Sequence, residues 1–470
     1  MSADLLDHIS RARWFGGKGR GAELRRVDPL PWLTPPGSWP AVRAEIAEVG
    51  YDDDTVEQYQ LLLSYRPLGD GSAETSRLGE DDLPQLGRVH RHDATRDPEA
   101  MAAVLRAVVE EREVSADGAV VRCRTVAPHP LDAALAPRLF GGEQSNSSVM
   151  YGEVAMLKAF RRLEPGRNLD IEVHRALAGD PRARAARLHG WIEAEWTTGS
   201  RRHDADLAMV VEQLHDARDG WDLALASCSE DTDFTAEATA LGVALRGVHE
   251  ALAEHFPTGE LAGDALAQTM ARRLHTAQRE APELAAMSGE LRSVFDRVRP
   301  LAPATQRVHG DFHLGQTLLT SDGWKIIDFE GEPMKTMDER REPDSPWRDV
   351  AGLLRSFDYA AGSAAAAAAA SAELAGDAAA AARSAHAWAA ACTGAFLAGY
   401  TGGTALAGGE TSLLAAYVAD KAVYEVVYEV RNRPAWVGIP LRALERLVDT
   451  DEERGDTAPE HHAPENREDR

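Results

Sequence analysis

The chain has 470 residues, 44% of them apolar and 27% charged, which suits a globular protein of about three domains. Its 51 Lys and Arg face 76 Asp and Glu, a formal net charge of −25, and no concentrated basic patch offsets it; nucleic acid and anionic membranes are therefore poor partners. Cys123, Cys228 and Cys392 stand far apart without a CxxC, which excludes a disulfide framework or zinc ribbon and fits a reducing cytosol.

The opening MSADLLDHISRARW is charged and lacks the apolar run of a signal peptide. After Pro29, Pro31, Pro35, Pro36 and Pro40, the segments at 41–50 and 56–66 flank Asp52–Asp54 and predict a β-hairpin. Residues 98–112 predict a helix with Met101, Leu105 and Val108 on one face, and 119–126 predict a strand. SSVMY and VAMLKAF meet at Gly152-Glu153 as a second hairpin, followed by a helix from Asn168, its N-cap, to Leu177. LAMVVEQL at 207–214 reads as a buried strand.

From about residue 215 the pattern turns helical. Leu241, Leu245, Val248 and Leu252 make a single buried stripe, and the Ala-rich run at 363–384 predicts a helix. Residues 386–409 hold no Lys, Arg, Asp or Glu but are too weakly apolar to span a bilayer; they predict a closely packed helix and a Gly-rich turn at Thr401–Gly403. The last 20 residues are charged, contain two prolines and predict disorder. The expected order is a β-rich cap (1–97), a mixed α/β lobe (98–213), a mostly helical lobe (214–452) and a tail (453–470).

The densest chemistry is R-V-H-G-D-F-H-L-G-Q at 307–316, followed by W-K-I-I-D-F-E at 324–330. Phosphoryl transfer needs an aspartate to take the acceptor hydroxyl's proton and oxygen ligands to hold Mg²⁺. Asp311 and Gln316 share the five-residue offset of Asp and Asn in a kinase catalytic loop, and Asp328 arrives where a metal-binding aspartate is required. Upstream, strand residue Lys158 and helix residue Glu172 suit a lysine–glutamate pair that holds phosphates. Gln144, Ser145, Asn146, Ser147 and Ser148 offer donors to a phosphate, and Glu212 to Leu214 resembles a kinase hinge whose backbone reads adenine. The Trp14–Arg20 run is not a phosphate-binding P-loop, because no Ser or Thr follows Lys18.

Other readings compete. His309, Asp311 and His313 alternate as in half of a metallohydrolase site, which leaves Lys158 and the D-F-E strand without a purpose. A polar loop without chemistry fits poorly between two apolar strands. A catalytically silent kinase-like module would normally have lost one of the aspartates or the lysine.

These motifs resemble the aminoglycoside-phosphotransferase-like branch of the protein-kinase fold and, within it, the actinobacterial maltokinases. E-Q-S-N-S-S, H-G-D-F-H-L-G-Q, the G-W-K-I-I-D-F-E-G-E-P to R-D-V-A-G-L-L-R-S-F-D-Y block and D-K-A-V-Y-E-V-V-Y-E-V-R-N-R-P-A-W carry the likeness nearly end to end. The resemblance implies an α+β, bilobal kinase-like fold with an extra N-terminal β-rich cap. It implies a cytoplasmic enzyme that uses ATP and Mg²⁺ to convert maltose to maltose 1-phosphate, feeding α-glucan synthesis downstream of trehalose. It makes Asp311 the base, Gln316 and Asp328 the Mg²⁺ ligands, and Lys158 the phosphate anchor oriented by Glu172. Asp349 would brace the catalytic loop, with His309 a structural neighbour. Tyr424, Tyr428 and Arg431 would hold the sugar near His313 and Glu330, although Tyr424 and Tyr428, at i and i+4, also fit a core stripe. A trehalose-isomerising enzyme is the implied docking partner of an otherwise monomeric chain. Kinases of glucosamine or an aminoglycoside would share these motifs.

Overall fold

The computed structural model describes residues 2–72, 74–126, 131–141, 146–332, 335–371 and 375–455. They form two compact units. The first holds the chain as far as Asp180 together with Ala185–Asp216; the second holds Pro181–Arg184 and the chain from Ala217 onward.

In the first unit an antiparallel sheet runs in the order Ala22–Pro29, Ala41–Tyr51, Val56–Pro67, Gly87–Asp93, Arg77–Leu83. Its central hairpin is the one expected around Asp52–Asp54, with Asp54 in the left-handed region at φ 61°. A second antiparallel sheet has the order Glu113–Ala116, Ala119–Thr125, Leu188–Thr198, Arg201–Glu212, Ala155–Ala159, Ser147–Tyr151, Pro137–Leu139. The two sheets share one continuous core, in which Val42, Ile46 and Leu62 meet Met101, Val104 and Val108 of the helix Pro98–Val109, and Leu157, Ile192 and Val210. Cap and mixed lobe are thus one folding body across residue 97. The short strand Arg162–Leu163 extends the cap sheet by pairing with Tyr59 and Gln58, and Gln60 Nε2 donates to the Phe160 and Leu207 carbonyls at 2.8 Å.

The β-rich cap also contains a helix, Ser2–Arg11, for which no element is expected. Its apolar signal is brief, but Leu5 and Ile9 are both buried. The Trp14–Arg20 run packs the cap: Trp14 and Phe15 lie against Tyr59 at ring distances of 5.7 and 5.4 Å.

The second unit is mostly helical. Leu241, Leu245, Val248 and Leu252 are all buried on the helix Thr235–His255, as their spacing requires. A three-stranded sheet of Arg218–Asp219, Thr317–Thr320 and Gly323–Ile326 supports the 306–316 loop. The Ala-rich stretch belongs to two helices, Trp347–Ser371 and Ala375–Thr401, and Gly402 and Gly403 turn the chain at φ 64° and 80°. Among the described residues no helix is long and apolar enough to cross a membrane. The helix Gly438–Gly455 continues five residues into the last 20, which are expected to be disordered; 456–470 lie outside the described residues.

Candidate active site

In the second unit, Asp349 organises the loop that carries Asp311. It lies in the first turn of the helix Trp347–Ser371, 1% exposed. Its Oδ2 accepts the His309 N–H at 2.7 Å and the His249 ring at 3.0 Å, and its Oδ1 accepts the Gly310 N–H at 2.9 Å. Burial alone would push this carboxyl up, but the donors and the neighbouring histidines outweigh it and hold it below its ordinary value. Gly310 turns at φ 86°, where L side chains are strained. Gly352 lets the helix approach so closely that an added Cβ would stand 2.4 Å from the Phe312 carbonyl oxygen.

Asp328 follows the strand Gly323–Ile326 by two residues and adopts φ 69°, an uncommon conformation for a non-glycine residue and one concentrated at functional sites. Two contacts join it to the catalytic loop. His309 Nε2 donates to the Ile327 carbonyl at 2.9 Å, and Gln316 Nε2 donates to Asp328 Oδ2 at 3.2 Å. That contact uses the amide nitrogen; with its amide turned over, Gln316 would set an oxygen beside the Asp328 carboxylate, a hard-oxygen pair suited to Mg²⁺, so the residue types fit the ion that the motifs imply.

Asp311 lines a cavity of about 260 Å³ with Lys421, Tyr424, Arg348, Glu332 and Lys335. Lys421 Nζ stands 3.5 Å from Asp311 Oδ1. Burial would lower this ammonium, but Asp311, Glu332 and Glu425 outweigh it and raise the lysine above its ordinary value. Lys335 is moved the other way, mainly by burial and then by the Arg348 charge. Arg348 in turn binds Asp344 at 2.9 Å and Glu332 at 2.5 Å.

The expected sugar residues divide. Tyr424 and Tyr428 are 37% and 43% exposed, which removes the core reading, and Tyr424 lines the cavity. Arg431 shares their face of the helix Gly408–Asn432, but its guanidinium is bound on two nitrogens at 2.6 Å to Glu280, so it is committed elsewhere. His313 and Glu330 do not line the cavity. His313 Nδ1 accepts the Gly315 N–H at 3.1 Å and caps the short turn Leu314–Gln316; burial lowers its ring below the ordinary value.

Lys421 and Arg348 are absent from the sequence reading. The signal for Lys421 was its position three residues before Tyr424, on the same helix face.

In the first unit Lys158, on the strand Ala155–Ala159, donates to Asp170 Oδ2 at 2.9 Å. Its carboxylate partner on the helix Leu169–Ala176 is therefore Asp170, where the sequence reading expects Glu172. Two residues are about 200° of helical rotation, which carries Glu172 to the other side from Asp170. Burial pushes the Asp170 carboxyl up, but Lys158 and His174 outweigh it and hold it well below the carboxylate range. Asn168 caps this helix, accepting the Asp170 N–H at 2.8 Å.

Gln144 and Ser145 lie outside the described residues. Asn146 is half-buried, Ser148 is buried, and Ser147 Oγ accepts from Arg161 Nε at 2.8 Å. At the expected hinge, Glu212 donates its N–H to the Arg187 carbonyl at 2.8 Å, and Leu214 packs against the core of this unit.

Comparison with known families places this geometry. Residues 59–388 match the model described as the phosphotransferase enzyme family, and residues 8–97 match the maltokinase N-terminal cap domain. A protein named glucosamine kinase from Mycolicibacterium smegmatis is 28% identical over 334 residues, covering 65% of this chain and 78% of its own. One of the same name from Streptacidiphilus jiangxiensis is 29% identical over 332 residues, covering 65% and 72%. The solved structure titled glucosamine kinase in complex with glucosamine, ADP and inorganic phosphate aligns with a TM-score of 0.64 at 21% identity, over 95% of this chain and all of that one, a likeness of fold.

Proposed function

The chain belongs to the phosphotransferase enzyme family, and from that premise we propose that it transfers the terminal phosphoryl group of ATP to the anomeric hydroxyl of maltose, making maltose 1-phosphate for α-glucan synthesis. Asp311 takes the proton of the anomeric hydroxyl as its oxygen bonds to the terminal phosphorus and the bond to ADP breaks. Lys421 offsets negative charge gathering on the transferring group. Lys158, held by Asp170, anchors the nucleotide's phosphates. Gln316 and Asp328 are the residues that would hold Mg²⁺, which neutralises phosphate charge when bound.

The charge arrangement around Asp311 carries the choice of sugar. Arg273, Lys335, Arg348 and Lys421 all line the cavity. Its five carboxylates are already engaged: Asp311 by Lys421, Glu332 by Arg348, Asp420 by Arg273, Glu339 by Thr336, and Asp349 by the His309 and Gly310 N–H groups and the His249 ring. An amino sugar would bring a fifth cation into competition with Lys421, which Asp311 and Glu332 already hold charged, and toward Lys335, whose ammonium burial and Arg348 lower. A neutral sugar carries no such penalty. The cavity of about 260 Å³ is just under the roughly 300 Å³ at which small-molecule sites begin, enough for one ring. Exposed Tyr428, one turn beyond Tyr424, offers a surface for a second ring.

The match to a maltokinase cap supports maltose, whereas the names of the relatives favour glucosamine as the second reading. Incubation with ATP, Mg²⁺ and a sugar panel separates the two. Maltose should yield a phosphate coupled to the anomeric proton in phosphorus NMR, and trehalose, with both anomeric carbons locked, should not react. Preferential phosphorylation of glucosamine would overturn the assignment.

A further inference from the structure

A second cavity, of about 800 Å³, lies within the second unit and shares no lining residue with the cavity at Asp311. Its volume falls inside the roughly 300–1,000 Å³ of small-molecule sites. Trp347 and Tyr400 line it and meet edge to face, with centroids 5.6 Å apart at 64°, so their rings form a corner. Arg246, Glu250 and Glu410 bring one guanidinium and two carboxylates to the same space. Aromatic faces suit the C–H side of a pyranose, and the charged groups suit its hydroxyls. Two anions against one cation disfavour a phosphate or nucleotide.

This cavity is connected to the catalytic loop by hydrogen bonds. Asp349 is an acceptor, so the His249 proton lies on Nε2 and donates to Asp349 Oδ2 at 3.0 Å. His249 Nδ1, on the other side of the ring, meets the Tyr400 hydroxyl at 2.9 Å. The same Asp349 oxygen accepts the His309 N–H, two residues before Asp311. Tyr400 and His249 both form part of the cavity wall, and Asp349 behind them is 1% exposed, so the chain leads from the cavity into the buried support of the catalytic loop.

We propose that this cavity is a second carbohydrate site, for a neutral oligosaccharide, whose occupancy reaches the catalytic loop through Tyr400, His249 and Asp349. A sugar ring held against Tyr400 fixes that hydroxyl on His249 and so steadies the donors that Asp349 gathers. Binding stands independently of the function proposed above. The catalytic consequence rests on Asp311 being the base.

The test uses the full chain and methyl α-maltotrioside, whose blocked anomeric oxygen cannot be phosphorylated. Calorimetry should show a binding event that Ala253→Trp removes, because Ala253 lines the cavity without belonging to the hydrogen-bonded chain. Glu250→Gln, at an exposed position, should weaken the same event about ten-fold without threatening the fold. In wild-type protein the glycoside should slow hydrogen exchange of the 307–313 peptide about three-fold, the scale of coupling through one hydrogen bond. Tyr400→Phe should keep the binding and lose the slowing. Unchanged binding in both Ala253→Trp and Glu250→Gln overturns the site. Slowing that persists in Ala253→Trp assigns it to the Asp311 cavity and overturns the coupling. Loss of maltose phosphorylation alone touches neither readout and counts only against the proposed function.

Discussion

Replacing Asp349 with asparagine tests whether one buried carboxylate sets the catalytic loop. The native side chain takes three donors, at 2.7, 2.9 and 3.0 Å. An asparagine can turn its oxygen toward His309 and His249, but its NH₂ group then faces the Gly310 N–H. One buried donor goes unsatisfied, at about 1–3 kcal/mol, and two charge-assisted bonds become neutral ones, at about 1 kcal/mol each. The sum is about 3–5 kcal/mol, which lowers the melting temperature of a domain this size by about 10 °C. The Gly310 amide should exchange faster, and kcat should fall about 100-fold as Asp311 loses its placement, with KM for ATP nearly unchanged. Calorimetry, amide exchange and steady-state kinetics on one preparation give all three numbers. A melting temperature within about 2 °C of wild type together with normal kcat would show that the loop is held by something else.

Asp311→Asn should leave folding intact and lower kcat by about 10²–10⁴, because an amide cannot take the hydroxyl's proton; near-normal turnover would remove Asp311 as the base. Asp328→Asn should shift the Mg²⁺ titration of activity to higher concentration, since a neutral amide is a poorer ligand for a hard cation; coincident titration curves refute the role. Gly352→Ala should destabilise by about 1–3 kcal/mol, although alanine is the better helix former, because the new methyl meets backbone at 2.4 Å; a neutral or positive change in denaturant midpoint would contradict the packing. The carboxyls of Asp170 and Asp349 are held below the ordinary 3.8, so their contribution is present above that value and is lost as pH falls through their folded values. Stability should therefore drop below about pH 4, and Asp349→Asn should show a shallower acid decline; equal slopes would refute the linkage.

Local signals in the chain were sufficient for many features. Asn168 marked a helix start because a short acceptor side chain can serve its own helix's first N–H groups, and the structure places its oxygen 2.8 Å from the Asp170 N–H. The Leu241 to Leu252 stripe and the Asp52–Asp54 hairpin are likewise short-range, governed by backbone period and turn chemistry. The approach of Gln316 to Asp328 was legible because the loop and strand that carry them are nearly consecutive.

What the tertiary structure alone decided are pairings between distant segments. Lys421 reaches Asp311 across 110 residues, Glu280 captures Arg431 across 151, and His249 meets Asp349 across 100. Even the nearby partner of Lys158 was settled by angle, since Asp170 and Glu172 both offer a carboxylate but occupy different sides of the helix. Residue type records what a side chain can bind. Which group it does bind depends on where packing places the two backbones, and that is a property of the whole core.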